Sequence, residues 1–293
     1  MKFSEIKDKI KNLGNFKTLS EIKKAGLRIC RNTKTGDYWL IEEEFLKPVI
    51  KTVSEQQTIE ARTDYLFFVY PPRKTGNYFA DKYIKWGEGR TTKGYQKKQE
   101  AGIKLPNVSS FSGRKYWYSF PLNDEQKANL FWWKIVGERF AVFYTKKETL
   151  SDQKLYFIRT KNPEIDKLSL LLSLNSTIQR LFVELGGIPQ TGAYTVTELT
   201  VEDVDKIPII LLPKDQKVPA GAVLQKNILS IFQELGFNKN KPIRSQEPNP
   251  LPDRKALDDI VFDALGLTEQ ERKEVYWAVC ELVKNRLEKA KSV

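Results

Sequence analysis

Histidine is absent from all 293 residues. Its absence excludes Ser-His-Asp and Cys-His catalysis, HNH-type nuclease chemistry and every His-ligated metal site. Cysteine is nearly absent. Cys30 and Cys280 stand far apart, without metal-ligand spacing, and two lone thiols suit a reducing cytoplasm, the expected location. No apolar run is long enough to cross a bilayer, and the start Met1-Lys2-Phe3-Ser4-Glu5 carries charge where a signal peptide needs an apolar stretch. No amphipathic helix combines a basic face with an exposed apolar one, which argues against a membrane surface as partner. Internal repeats and low-complexity tracts are missing as well.

What is present is positive charge. The chain carries 49 Lys and Arg against 37 Asp and Glu, a net +12 with pI near 9.4. At 40% hydrophobic and 29% charged it has the composition of a folded protein, large enough for one large domain or two small ones. The charge is concentrated between Arg73 and Tyr118. That window holds eleven cations and three acids, a net +8. Aromatic residues are interleaved throughout it, among them Tyr78, Tyr83, Trp86, Tyr95, Phe111 and Trp117. A positive field attracts phosphate, and flat rings with polar edges pack on sugars and bases, so the window points to nucleic acid. A solvated surface is the plainer reading of charge alone.

Patterning predicts a mixed chain. Phe3 to Lys24 has partial helical spacing interrupted at Gly14. Leu27–Cys30 and Tyr38–Ile41 flank a turn at Asn32–Asp37 and predict a hairpin. Tyr65–Tyr70, Phe140–Tyr144 and Lys154–Ile158 read as strands, and Tyr194–Val196 as one more. Helical spacing predicts a helix over Pro163–Leu185, ended by Gly186-Gly187. The proline-bounded run Ile207–Pro213 suits an extended edge. A helix from Leu224 to Leu235 stops at Gly236, a polar, proline-rich linker runs from Asn238 to Pro252, and two helices follow, the last opened by the capping box Thr268…Glu271. Strands and helices are grouped rather than alternating. The expected class is therefore α+β: a strand-rich domain over 1–215 and a helical C-terminal region over 216–293.

The order of these blocks resembles the C-terminal target-recognition region of adenine-N6 DNA methyltransferases in type IIG restriction-modification enzymes, the TaqI-like specificity domain. The resemblance rests on Gly26–Ile50 with its Thr35-Gly36 turn and on Tyr83-Ile84-Lys85-Trp86-Gly87-Glu88. It rests further on Gly113-Arg114-Lys115-Tyr116-Trp117-Tyr118 and on the Leu174-Asn175-Ser176 helix with Gly186-Gly187 and Ile207-Pro208-Ile209 after it. Leu257–Leu267 resembles the tail of such enzymes. Subunits that read DNA for type I systems are similar, so a non-catalytic scaffold or type I-like specificity subunit, docking a methyltransferase or nuclease, is the alternative.

The resemblance implies duplex DNA as partner and a methyltransferase domain or subunit elsewhere. The family's Asn-Pro-Pro-Tyr motif, which clamps and stacks on the flipped adenine, has no counterpart: Asn162-Pro163-Glu164 and Asn249-Pro250-Leu251 do not continue correctly. The Gly-rich turn for S-adenosylmethionine is missing too. No cofactor is thus expected in this chain, with S-adenosylmethionine held by the partner, and the chain alone is expected to be non-catalytic. Glu21-Ile22-Lys23 and Pro252-Asp253 lie far apart in the sequence, in helical or linker contexts, and make a self-contained nuclease the weakest reading.

The expected DNA contacts are Arg73, Lys74, Arg90, Lys93, Lys97, Lys98, Arg114 and Lys115 on phosphates. Gln190, Thr191 and Tyr194, in the loop after Gly187, are expected at base edges, although a solvent loop would look the same. Trp117, Trp132-Trp133, Asn175 and Ser176 read as structural.

Overall fold

The computed structural model describes residues 2–51, 53–92, 102–120, 122–123, 126–189 and 196–291. The chain folds into two compact units, each with its own core. One comprises Met1–Pro48 with Leu66–Asp124, the other Val49–Tyr65 with Glu125–Val293. The packing thus divides the chain elsewhere than at the boundary expected between 215 and 216.

The first unit opens with two short helices, α1 (Phe3–Ile6) and α2 (Leu19–Lys24). The hairpin forms as the pattern predicts: β1 (Leu27–Arg31) pairs antiparallel with β2 (Tyr38–Glu42), Leu27 facing Glu42 and Arg31 facing Tyr38. Asn32 shapes its turn, its Oδ1 accepting the Lys34 and Thr35 amides at 2.9 and 3.0 Å. The strands β3 (Leu46–Ile50) and β4 (Tyr65–Phe68) carry the chain out of this unit and back.

Helix α3 (Phe79–Glu88) is not anticipated by the strand-dominated reading of this stretch, although Ala80, Ile84 and Gly87 recur at helical spacing and are all buried. Its first turn is held from outside. The Glu42 carboxylate accepts the Phe79 and Ala80 amides at 2.6 and 3.0 Å, and Asp81 accepts the Tyr78 amide at 3.0 Å. Three otherwise orphaned donors are satisfied, and the acids sit at the positive end of the helix. A short helix α4 (Ser109–Ser112) follows. The core here is aromatic: Trp39, Phe45, Tyr70, Tyr83 and Trp86 pack around Ile84. Trp39 meets Tyr83 and Trp86 at centroid distances of 5.3 Å each.

The second unit is built on β5 (Ala128–Trp133), β6 (Ile135–Val136), β7 (Val142–Ser151) and β8 (Leu155–Ile158). β5 pairs antiparallel with both β7 and β8, while Val49 and Ile50 pair parallel with Leu150 and Ser151, so the sheet is mixed. The sequence marks this strand only by Trp132-Trp133 as core residues. Ala128, Leu130, Phe131 and Trp132 are all buried, because a central strand covered on both faces loses the alternation that marks a half-exposed one.

The single helix expected over Pro163–Leu185 is two, α5 (Lys167–Leu174) and α6 (Thr177–Gly186). The break lies at the Leu-Asn-Ser block. Asn175 turns its amide onto the sheet, donating to the Val142 and Leu171 carbonyls at 2.9 and 2.8 Å and accepting the Val142 amide at 3.0 Å. Ser176 caps α6 by accepting the Gln179 amide. Both residues are structural, as their type suggested.

Further on, β9 (Ile188–Pro189) and β10 (Thr197–Glu198) join β6 in a small antiparallel sheet, and α7 (Val201–Lys206) follows. The strand expected at Tyr194–Val196 falls largely outside the described residues. Ile207–Pro213 joins no ladder. Side chains satisfy it instead, Gln179 donating to the Pro208 carbonyl at 3.0 Å and Ser173 to that of Ile210 at 2.5 Å.

The helix expected from Leu224 to Leu235 is also two, α8 (Ala220–Gln225) and α9 (Ile231–Leu235). Between them the backbone pairs with residues 57–59: the Ile59 amide meets the Lys226 carbonyl at 3.3 Å and the Ile228 amide that of Gln57 at 2.8 Å. Gly236 closes α9 in the left-handed conformation at φ 74°, as expected of a helix stop. Helices α10 (Pro252–Ala264) and α11 (Glu269–Lys291) complete the chain, and the Thr268–Glu271 box forms with hydrogen bonds of 2.7 to 3.3 Å. Phe262, Val279 and Val283 from these helices share one core with Phe131, Trp132 and Phe143 of the sheet, so the helical tail is no separate body. Among the described residues no helix is long and apolar enough to cross a membrane.

Candidate nucleic-acid interface

Helix α3 presents Tyr83 and Trp86, and the segment just after it Arg90, toward an open cleft of about 1200 Å3 within the first unit. The Asn32–Thr35 turn forms one lip, and Phe67 and Phe68 of β4 contribute from another side. Phe111, Arg114, Trp117, Tyr118 and Phe120 complete it. The Asn32 amide donates to the Tyr83 hydroxyl at 2.8 Å and ties the turn to the helix.

The walls are rings held against rings. Tyr83 and Trp86 stack with centroids 5.4 Å apart at 17°, Trp117 meets Tyr118 edge-on at 6.0 Å, and Phe67 meets Phe120 edge-on at 4.9 Å. Trp117 is half-buried and packs against α3, where Gly87 leaves room for it. A Cβ on Gly87 would lie 2.8 Å from the indole. The Trp117 indole is therefore both packing and cleft wall, a finer role than the core position its flanking tyrosines suggest.

Every charged residue lining the cleft among those described is a cation: Lys34, Arg90 and Arg114. Arg90 lies over the Trp86 ring at 4.7 Å. Arg114 lies over Phe111 at 5.0 Å and Phe120 at 5.7 Å and donates to the Ser119 carbonyl at 2.8 Å. Burial raises the pKa of Tyr83, and of Tyr118, whose hydroxyl donates to the Arg73 carbonyl at 3.2 Å. Both phenols stay protonated at neutral pH, so they add no negative charge.

The other expected cations distribute around this unit. Arg73 is exposed, donating to the Tyr78 hydroxyl at 3.2 Å, and Lys74 is exposed beside it. Lys115 projects beside the Tyr116 ring, its Nζ 5.7 Å from the centroid. Among the described residues, no cation between Arg73 and Lys115 forms an ion pair. Arg114 differs from Arg73, Lys74, Arg90 and Lys115 in being half-buried, and its guanidinium is bonded to the backbone. Lys93, Lys97, Lys98, Gln190, Thr191 and Tyr194 lie outside the described residues. Reading from the charge window misses Asn32, Lys34 and Phe67. They precede it, and only the Asn-x-Lys turn carried a polar signal.

The described residues hold no cluster of three His, Cys, Asp or Glu placed to bind a metal ion. In the second unit, ionisable groups gather at the Leu-Asn-Ser break instead. Arg254 pairs with Glu234 through two guanidinium nitrogens and donates to the Asn175 carbonyl at 2.6 Å, and Lys226 meets Glu234 at 2.9 Å. Asp258 accepts the Thr177 amide and hydroxyl at 2.7 and 2.6 Å. Burial pushes the Glu234 carboxyl up, but Arg254 and Lys226 outweigh it and hold its pKa below the ordinary carboxylate range. This network is fully internal and ties α5 and α6 to the C-terminal helices.

The resemblance read from the sequence is borne out by comparison with known proteins. Residues 73–209 match the family model of the TaqI-like C-terminal specificity domain. The fold is similar to the crystal structure of the type IIG restriction endonuclease BpuSI, with a TM-score of 0.52 over 85% of this chain at 15% sequence identity. The chain covers 27% of that enzyme's chain, about a quarter of its length. No curated protein matches the sequence.

Proposed function

From a chain whose residues 73–209 match a TaqI-like specificity domain, we propose that it is the DNA-reading part of a restriction-modification adenine-N6 methyltransferase. The observation that carries this reading is the set of cations between Arg73 and Lys115. Those described lie inside the matched stretch, over rings or in solvent, and form no ion pair with a carboxylate. An unneutralised cation displaces counterions from DNA, whereas one already paired gains little. Arg73, Lys74, Arg90 and Lys115 supply the phosphate contacts that set affinity and register, together with Lys93, Lys97 and Lys98. Base-edge contacts set sequence choice, from Gln190, Thr191 and Tyr194. The methyl transfer, with its S-adenosylmethionine, belongs to a catalytic domain or subunit beyond these residues, to which this part delivers one adenine.

Binding of the 293-residue chain to labelled duplex DNA across a salt series tests the reading. With about five phosphates contacted, log affinity falls against log salt with a slope of roughly −4 to −5. Absence of binding at low salt would remove the proposal and favour the scaffold alternative.

A further inference from the structure

We infer that the cleft of the first unit receives unpaired nucleotides, so that the protein engages a strand locally displaced from the duplex as well as the duplex itself. This rests on the DNA reading above and adds a second mode of contact.

The first ground is size. At about 1200 Å3 the cleft exceeds the roughly 300–1,000 Å3 of sites for single small ligands, which leaves room for more than one nucleotide. The occupant that fits is a short length of flexible, flat-ringed polymer.

The second ground is the lining. Phe67 is 37% exposed although it belongs to a strand whose neighbours are half-buried, and its ring is supported edge-on by Phe120. A supported but uncovered ring offers its face to a base without a further ordering cost, and stacking on such a face accepts any base.

Charge is the third. Lys34, Arg90 and Arg114 sit among the rings with no carboxylate in the lining; the carboxylate of Glu88 lies behind the wall, accepting the Trp117 indole N–H at 3.5 Å, so a phosphate entering with its base meets a net positive lining. The Arg90 guanidinium already lies over Trp86 at 4.7 Å and forms no ion pair, so its charge is available to a phosphate. An uncharged apolar partner would leave three cations unanswered, and a duplex would leave the rings unused.

The test uses the full chain and two fluorescein-labelled 20-base-pair probes. One is perfectly paired and the other carries a central bulge of three thymidines. The wild-type chain is expected to bind the bulged probe about tenfold more tightly, the effect of one or two stacked bases. Phe67→Ala and Arg90→Ala, each verified as folded by circular dichroism, are expected to bring the ratio of the two affinities to about one. A wild-type ratio near one overturns the inference while leaving duplex reading intact. A tenfold ratio that survives in both variants also overturns it, because the preference would then come from the easier bending of bulged DNA. Failure to bind either probe overturns the DNA reading and this inference with it.

Discussion

In the first unit, the described arginines and lysines between Arg73 and Lys115 lie over aromatic rings or extend into water. In the second, Arg180, Lys226, Arg254 and Arg286 are buried, and each meets a carboxylate, Glu184 or Glu234. A cation over a ring keeps its charge available, because the ring quadrupole attracts it without cancelling it. A buried ion pair cancels, at a desolvation cost that the pairing only offsets. The same residue types thus project a field outward from one unit and fasten helices together in the other. A count of net charge sees no difference between them.

The comparison breaks most visibly at Glu234. Glu234→Ala leaves Arg254 and Lys226 buried without their shared anion, and urea unfolding is expected to lose about 3–5 kcal/mol. A loss near zero would mean that the network is not buried as described. Smaller effects are expected in the first unit, where two neighbours sharpen the contrast. Arg114→Ala removes a hydrogen bond to Ser119 and two ring contacts, and is expected to cost roughly 1–2 kcal/mol besides weakening DNA binding. Lys115→Ala is expected to weaken binding with an unchanged melting temperature. Equal melting temperatures for the two variants would erase the distinction between a strap and a free cation.

The thiols give the smallest effect and compare the units directly. Burial pushes Cys30 up to about 11 and raises Cys280 as well, so the reactive thiolate of each is scarce at neutral pH. Native labelling by iodoacetamide at pH 7.5 is expected to be slow for both, and slower for Cys280, which is 0% exposed. Faster labelling of Cys280 would show that the second unit opens more readily than the first.

Much of this was legible where local chemistry decides. The Asn32 turn, the Thr268–Glu271 box and the Gly236 stop depend on residues within a few positions of one another, and each forms as the residues suggest. Two expected helices failed at Asn175 and at Lys226–Ser230, where side chains and backbone found partners far along the chain: Val142, Asp258 and residues 57–59. Helical periodicity records which face is apolar. It does not record a distant strand that competes for the same amides.

The cleft shows the same division. That the stretch from Arg73 to Tyr118 is cationic and aromatic follows from the sequence, as do the α+β class and the likeness to specificity domains, because charge, ring content and block order are properties of the chain read in line. Which cations remain free, which are straps, and that Asn32, Lys34 and Phe67 stand across from Trp86 and Arg90 were decided only by tertiary structure. A cation's availability depends on the distance to the nearest carboxylate or ring, and that distance exists only once the chain has folded.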